Sequence, residues 1–378
     1  MDPRRRARPR AARPRRAVAR RGVNAPAHPL AGGDVSAAPL GDAAEWDAYV
    51  AAHPGATPFH SRTWCEAITR ATGHRCHIVT ARDAAGTLTG LLPLHHVRSP
   101  LFGQALVGSG FAVGGGILAD DPAIAATLAG GAADIAKSLG VPSVELRGGP
   151  LPEGTGWASE EGVYAGFARD LAADEEAELL AIPRKQRAEV RKALVSDLRV
   201  TTGRDSAERR DHYRVYAESV RNLGTPVFPR ALFDAILDAF GDDADILTVR
   251  DGRRPIASVL SLHWRGTVMP YWGGGTFDAR RLRANELMYF ALMRHARERG
   301  GTRFDFGRSK VGTGPFAYKK NWGFEPEPLV YARWLAPGEQ PRDTNPNSAK
   351  YRLQVDLWKK LPLWAANRIG PLIARGLG

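Results

Sequence analysis

The sequence predicts an α+β protein built from two similar lobes, each a mixed sheet flanked by helices. Three observations predict it. Residues 78–95 (IVTARDAAGTLTGLLPLH) and 246–263 (ILTVRDGRRPIASVLSLH) align without a gap at an offset of 168, with seven of eighteen positions identical. Each copy is followed by a glycine-rich strand end, Gly108–Gly116 or Gly273-Gly274-Gly275. Each then runs into a segment of good helix formers that stops at a glycine, Gly140 or Gly300, as a helix end favours. Two copies are too few for a solenoid, so a two-lobed body with a cleft between the lobes is expected.

The elements follow in order. Residues 1–22 hold ten arginines and one aspartate, a local charge of +9 out of the chain's +13. This arm has almost no large apolar residues, so residues 1–30 are expected to be disordered. It either touches phosphates or anionic lipid, or belongs to a start codon placed too early. Arg20-Arg21 is followed by polar residues and Pro26 rather than an apolar stretch, which excludes a twin-arginine export signal. Residues 30–77 read as helical. Residues 78–95 read as strand, turn, strand, with the turn at Asp83-Ala84-Ala85-Gly86. A helix from Pro122 to Leu139 and a strand from Ser143 to Arg147 complete the first copy.

A charged helix over 175–195 separates the copies, and helices over 208–221 and 229–240 lead into the second hairpin, which turns at Asp251-Gly252-Arg253-Arg254. A helix over 284–299 and a strand over 303–306 follow. Residues 336–347 (APGEQPRDTNPN) read as a linker. Residues 348–378 alternate Leu, Ile and Trp with Lys and Arg, giving an amphipathic basic helix pair broken at Pro362 and Pro371. That pair either covers the body or lies on an anionic membrane surface. The division is thus an arm (1–30), a first lobe (31–165), a second lobe with the site (166–335), and a linker with C-terminal helices (336–378).

Outside the arm the charge is only mildly positive, and no basic stripe interleaved with aromatics argues for DNA. No run of apolar residues is long enough to span a bilayer, and two cysteines, Cys65 and Cys76, make no disulfide framework. A cytoplasmic protein fits, either free or peripheral on the inner face of the cell membrane. No metal site is expected: His74, Cys76 and His77 alternate along a strand and so point to opposite faces.

Three segments could carry chemistry. In 303–324 (RFDFGRSKVGTGPFAYKKNWGF) a strand holding Asp305 runs into a glycine-rich loop with Arg308, Ser309 and Lys310, then Tyr318, Lys319, Lys320 and Trp322. Glycines let a backbone approach a ligand, and cations beside them hold an anion or an oxyanion. The alternative is a basic turn that merely closes a sheet. In 183–193 (PRKQRAEVRKA) Arg187 and Arg191 share a helix face that Arg184 joins, so an anionic partner would relieve like-charge repulsion, and Lys192 is counted with them as substrate-binding. The alternative is a solvated face. Asn285 and Glu286 open the helix after Tyr271-Trp272-Gly273-Gly274-Gly275, where a polar side chain is either a cap or a catalytic group.

The order RKQRAEVRKA, then FDFGRSKVGTGPFAYKKNWGF, resembles the FemAB-related proteins over roughly residues 40–375. It is most similar to the FemAB-like proteins associated with exosortase/PEP-CTERM systems in exopolysaccharide-making bacteria. The resemblance implies two tandem GNAT-like lobes and transfer of an acyl or aminoacyl group to an amine or hydroxyl of a cell-envelope, peptidoglycan or exopolysaccharide precursor. It implies no permanent cofactor, only an acyl donor as co-substrate, acyl-CoA or aminoacyl-tRNA, with tRNA entering only in that role. Tyr318-Lys319 matches the aromatic-lysine pair that serves the transfer step, so Lys319 is expected to stabilise the tetrahedral intermediate and Asp305 or Glu286 to be the base. Arg187, Arg191, Arg308 and Lys310 are expected to hold phosphates, and Tyr271 and Trp272 to line the pocket. The acceptor is expected to be a small or lipid-linked saccharide or peptide. Two features depart from relatives: Arg280-Arg281-Leu282-Arg283-Ala284-Asn285 lacks the glycines of the usual CoA diphosphate loop, and no coiled-coil insertion is present. A non-catalytic binding or scaffold protein of polysaccharide assembly at the membrane is the rival reading.

Overall fold

The computed structural model describes residues 35–38, 43–152, 156–342 and 352–378. The arginine-rich arm and residues 343–347 of the expected linker lie outside them.

In chain order the first half runs β1 (Val35–Ala38), α1 (Ala43–Ala52), α2 (Arg62–Thr72), β2 (Cys76–Arg82), β3 (Leu88–Ser99), β4 (Gly103–Gly108), β5 (Leu118–Ala119), α3 (Pro122–Leu139), β6 (Ser143–Arg147), β7 (Trp157–Gly166) and β8 (Ala168–Asp170). The second half runs α4 (Glu175–Ala181), α5 (Arg184–Leu194), β9 (Arg199–Gly203), α6 (Ser206–Leu223), α7 (Arg230–Phe240), β10 (Ala244–Asp251), β11 (Arg254–Trp264), β12 (Thr267–Gly275), α8 (Phe277–Leu282), α9 (Ala284–Glu298), β13 (Arg303–Asp305), β14 (Ser309–Lys310), α10 (Gly314–Asn321), β15 (Glu327–Leu335), α11 (Arg352–Lys360) and α12 (Leu363–Ala374). The fold is α+β, with two mixed sheets flanked by helices.

The repeated segments are antiparallel hairpins, β2–β3 and β10–β11. Each leads to an antiparallel neighbour, β4 or β12, which then pairs in parallel across a helix with β6 or β13. The two crossover helices, α3 and α9, are followed by Gly140 at φ 63° and Gly300 at φ 79°, the left-handed conformation that glycine adopts without steric cost.

Three local readings change. Val35–Ala38 lies in the stretch read as helical, yet it is a strand on the edge of β2, fixed by a partner more than forty residues away. The single helix over 175–195 is two helices, because Pro183 disfavours helical geometry at Ile182, which turns to ψ 132°. Pro371 does not break the last helix but lies inside α12.

The lobes are not contiguous in sequence. The first sheet runs β1-β2-β3-β4-β6-β15-β7-β14, and the second runs β8-β13-β12-β11-β10-β9. β14 and β15, from the segment read as second lobe, therefore hydrogen bond to β7 and β6 of the first sheet. The chain changes sheet at Phe167, between β7 and β8, and this residue is 1% exposed. An aromatic core joins the lobes: Phe59, Trp64 and Ile68 from the first meet Tyr216, Phe233 and Trp272 from the second. The turn between β11 and β12 adds a latch, in which Arg265 donates to the carbonyls of Val50, Ala51 and His53 at the end of α1. Those carbonyls have no partner within the helix, so the guanidinium acts as their cap.

Candidate active site

The site begins where two parallel strands part. β12 and β13 pair only at Thr267↔Arg303 and Val268↔Phe304. Beyond these residues β12 continues to Gly275 while the other chain turns away through Gly307. Strands that separate leave backbone groups between them without sheet partners, which is a place for a ligand. β12 also carries a bulge. Leu260 pairs with Trp272 and Ser261 with Pro270, so Tyr271 is the extra residue. At the far end Gly275 must be glycine, because a Cβ there would stand 2.7 Å from Asn285 Oδ1 and 2.5 Å from Ala279 Cβ. This close approach sets the start of α9 against the end of β12.

Lys319 projects from α10 towards the turn after β13. Its Nζ donates to the carbonyls of Gly307 (3.0 Å) and Arg308 (2.9 Å), and lies over the rings of Phe306 (5.4 Å) and Phe167 (5.5 Å). Burial pushes its pKa down to about 7, against the opposing pull of the Asp305 charge. Asp305 accepts a hydrogen bond from the Gly307 amide (2.8 Å), and burial raises its carboxyl pKa above the ordinary value.

The second carboxylate lies near Tyr318, which packs against the Phe306 ring. Burial raises the pKa of Glu286, in the first turn of α9, and Gln186 of α5 lies beside it with its buried Nε2 unpaired among the described residues. The Glu286 charge, with burial, lifts the phenol of Tyr318 well above the ordinary tyrosine value. Tyr289, Tyr318 and Phe306 form one aromatic wall, with Tyr289 4.6 Å from Phe306 and 6.0 Å from Tyr318. Three side-chain oxygens in this region, Asn285 Oδ1, Ser309 Oγ and Tyr318 Oη, are buried with no hydrogen-bond partner among the described residues. A buried polar atom without a partner is costly, so a bound group that reaches these atoms gains what the free protein lacks.

The start of α9 has its own departure. Arg283 precedes it at φ 58°, a left-handed position that usually falls to glycine, and its Nε bonds to Glu189 Oε2 (2.5 Å) on α5. No side chain caps this helix start, so its first amides stay available to an anion.

Arg308 occupies the border with the first sheet. It stacks on Tyr164 (4.7 Å) and Tyr331 (5.8 Å), and its Nη1 donates to Tyr331 Oη (2.6 Å). Burial, and then the charge of Arg308, hold Arg147 below the ordinary arginine value. Arg147 is also paired with Glu145 (3.4 Å) and donates to the Gly378 carbonyl (2.9 Å), so the two guanidiniums form a partly compensated positive patch.

The residues singled out in the sequence separate into groups. Lys319, Asp305, Glu286, Asn285, Tyr318, Ser309 and Arg308 gather around the split between β12 and β13. Arg187 and Arg191 flank it on α5, whose buried face packs on α9. Lys192 is instead exposed and paired with Glu189 (2.7 Å). Lys320 lies on the exposed face of α10, and Lys310 pairs in β14 with Tyr164 of β7. Trp322 is 0% exposed and Trp272 5% exposed, so both are core residues rather than walls of a pocket. Trp272 is held there by stacking on Trp64 (6.1 Å, 10°). Tyr271 points into the same core and donates to the Phe111 carbonyl (2.9 Å).

Sequence reasoning missed Arg147, Tyr164, Tyr331 and Gln186. Arg147 stands before Gly148-Gly149 at a strand end, as Arg308 stands after Gly307, and that likeness was the available signal. Nothing local marks Tyr164 or Tyr331, because their contact depends on β15 entering the first sheet.

Residues 184–320 match the acetyltransferase (GNAT) domain family. The segment contains Glu286, Asp305 and Lys319. No curated protein matches the chain by sequence. Among solved structures, FemX is similar at a TM-score of 0.59 and 17% identity, covering 76% of this chain and 95% of that one. A tandem GNAT protein from the clavulanic acid biosynthesis pathway is similar at 0.52 and 12% identity, covering 82% and 100%. The C-terminal domain (DUF2156) of a putative lysylphosphatidylglycerol synthetase from Agrobacterium fabrum is similar at 0.50 and 14% identity, covering 77% and 91%. The two hairpin-led lobes, the parallel strands that part and the domain match agree: this chain has a FemAB-like tandem GNAT fold, with the acetyltransferase (GNAT) domain match over residues 184–320.

Proposed function

We propose that this protein is an acyltransferase that moves an activated acyl or aminoacyl group to an amine or hydroxyl of an anionic cell-envelope precursor. The observation that carries the reading is Lys319, a half-buried amine at the open end of β12 and β13 inside the matched domain. An ammonium held by two carbonyls keeps one N–H free, and away from bulk water its interaction with an oxyanion is stronger than in solution.

In the proposed reaction the acceptor's lone pair attacks the acyl carbon, and a new C–N or C–O bond forms. The carbonyl π electrons move to oxygen, and Lys319 stabilises that oxyanion. Collapse of the intermediate expels the donor's thiolate or ribose alkoxide. The acceptor's proton passes to Glu286 and then to the leaving group. Glu286 suits a base, because burial raises its pKa towards working pH. Asp305 is committed to the Gly307 amide and is better placed to orient Lys319. Arg308 and Arg147 hold the anionic part of the acceptor, and the uncapped start of α9, with Arg187 and Arg191 nearby, receives donor phosphates.

The donor is acyl-CoA or aminoacyl-tRNA, and melting curves of the full chain separate them. A ligand at 100 times its Kd adds about 2.7 kcal/mol of stability, a rise of several degrees in Tm. A rise with one donor is expected; no rise with either would sink the enzyme reading.

The C-terminal helices support an acceptor carried on a membrane. They pack on α6, and Arg221 Nη1 donates to the Lys359 carbonyl (3.2 Å), so they do cover the body. Yet Trp364 is 73% exposed and Leu372 71%, beside the exposed Arg368 and Arg375. An apolar face rimmed by cations suits an anionic bilayer surface. No helix among the described residues is long and apolar enough to cross one. Trp364→Glu is expected to weaken binding to vesicles of phosphatidylglycerol in a sedimentation assay without lowering Tm; equal binding by both chains would refute the contact.

A further inference from the structure

We propose that Asp245, His263 and His295 form a binding site for a divalent transition-metal ion, with Zn²⁺ the best fit. The three residues come from β10, the end of β11 and the last turns of α9. His263 Nε2 lies 3.1 Å from Asp245 Oδ1, and His295 Nε2 lies 2.6 Å from Oδ2. All three ligand atoms fall within 4.8 Å of one another. The imidazole rings stand nearly perpendicular, 5.9 Å apart at 79°, so both Nε2 atoms converge on one carboxylate without stacking. Ligands bound to Zn²⁺ at about 2.0–2.1 Å in a tetrahedron lie about 3.3 Å from each other. An ion can therefore replace the bridging protons once the 2.6 Å His295–Asp245 separation widens towards that spacing and the imidazole nitrogens, within 4.8 Å of each other, close onto the ion.

The chemistry also fits. Asp245 is 8% exposed, and each of its two oxygens is bonded to one of the histidine rings. A buried carboxylate and two imidazoles make a borderline donor set that suits Zn²⁺ rather than Mg²⁺ or Ca²⁺. A cavity of about 160 Å³ opens beside His263, lined also by Asp243, Thr267 and Arg299. It reaches the site on the His263 side, and a cavity of that size holds water.

The site is separate from the proposed active centre. His263 pairs with Val268 at the start of β12, whereas the acyl-transfer site lies where that strand ends. Glu286 and His295 are nine residues apart on α9, about 14 Å along the helix. The bound ion would tie the end of α9 to the β10–β11 edge.

A second cluster, Cys65, Cys76 and His95, is less available. His95 Nδ1 accepts from the Gly110 amide (3.0 Å), and its Nε2 faces the Cys65 carbonyl (3.3 Å), so both ring nitrogens are committed.

The test uses the full chain, dialysed against a chelator and titrated with Zn²⁺ by calorimetry, then with Co²⁺ as a visible-spectrum reporter. One Zn²⁺ per chain is expected, with a Co²⁺ spectrum of nitrogen and oxygen ligation. His263→Gln and His295→Gln, each verified as folded by circular dichroism, should each weaken affinity by about tenfold or more. No uptake by the parent chain overturns the proposal. So does uptake that both variants retain, or a cobalt–thiolate absorption that disappears in Cys65→Ser and places the ion at the other cluster.

Discussion

Lys319→Ala is expected to lower turnover by about 10²–10³-fold, the range for removal of one donor that stabilises an oxyanion. The substitution removes an amine that bonds to the Gly307 and Arg308 carbonyls, at the open end of β12 and β13. Donor binding, read as a Tm rise, should persist, because the donor's phosphates are assigned to the start of α9. Turnover equal to that of the parent chain would refute the role. The pH profile gives an independent check. Burial brings the Lys319 pKa to about 7, so the ammonium is lost as the pH climbs past that value. The rate should therefore fall on the alkaline side with an apparent pKa near 7. Lys319→Arg, charged at every working pH, should remove that descending limb. The same shift bears on stability. Between about 7 and the ordinary lysine value of 10.5 the folded chain binds fewer protons than the unfolded one, so this residue favours folding more as the pH rises through that window.

Trp64→Ala is expected to cost about 3–5 kcal/mol of folding stability. Trp64 is 0% exposed and sits where the lobes meet. Its ring stacks on Trp272 (6.1 Å) and meets Phe59 (4.8 Å) and Tyr271 (5.7 Å) edge-on, while Nε1 donates to the Gly110 carbonyl (3.2 Å). Truncation leaves a cavity and an unpaired carbonyl together. Urea unfolding followed by circular dichroism should show a lower midpoint. A single transition should persist, because the same aromatic core serves both lobes. A loss under about 1 kcal/mol would mean that the lobes do not depend on this core.

The mismatch between expected and observed site residues has a physical pattern. Asp305 ends a strand and Glu286 lies in the first turn of a helix, where local sequence already fixes geometry, whereas Lys319 lies in the last turn of α10 and was singled out by the resemblance. Trp272 and Trp322 were misplaced because an aromatic beside a glycine-rich segment looks the same whether it faces a ligand or a core. Only burial separates the two, and burial is set by residues such as Trp64 that are distant in sequence. The Asp245–His263–His295 cluster has no spacing signature for the same reason: three elements bring it together.

The sequence by itself determined the duplicated hairpin, the two helices stopped by Gly140 and Gly300, and the concentration of polar chemistry in residues 303–324. These are local properties: alternation, turn chemistry and helix ends act over a few residues. The tertiary structure alone decided that β14 and β15 join the first sheet, that Arg308 packs on Tyr164 and Tyr331, and that Lys319 lies over the rings of Phe306 and Phe167. Each depends on strand pairing between segments more than a hundred residues apart, whose register is chosen by whole-sheet packing and not by the segment itself.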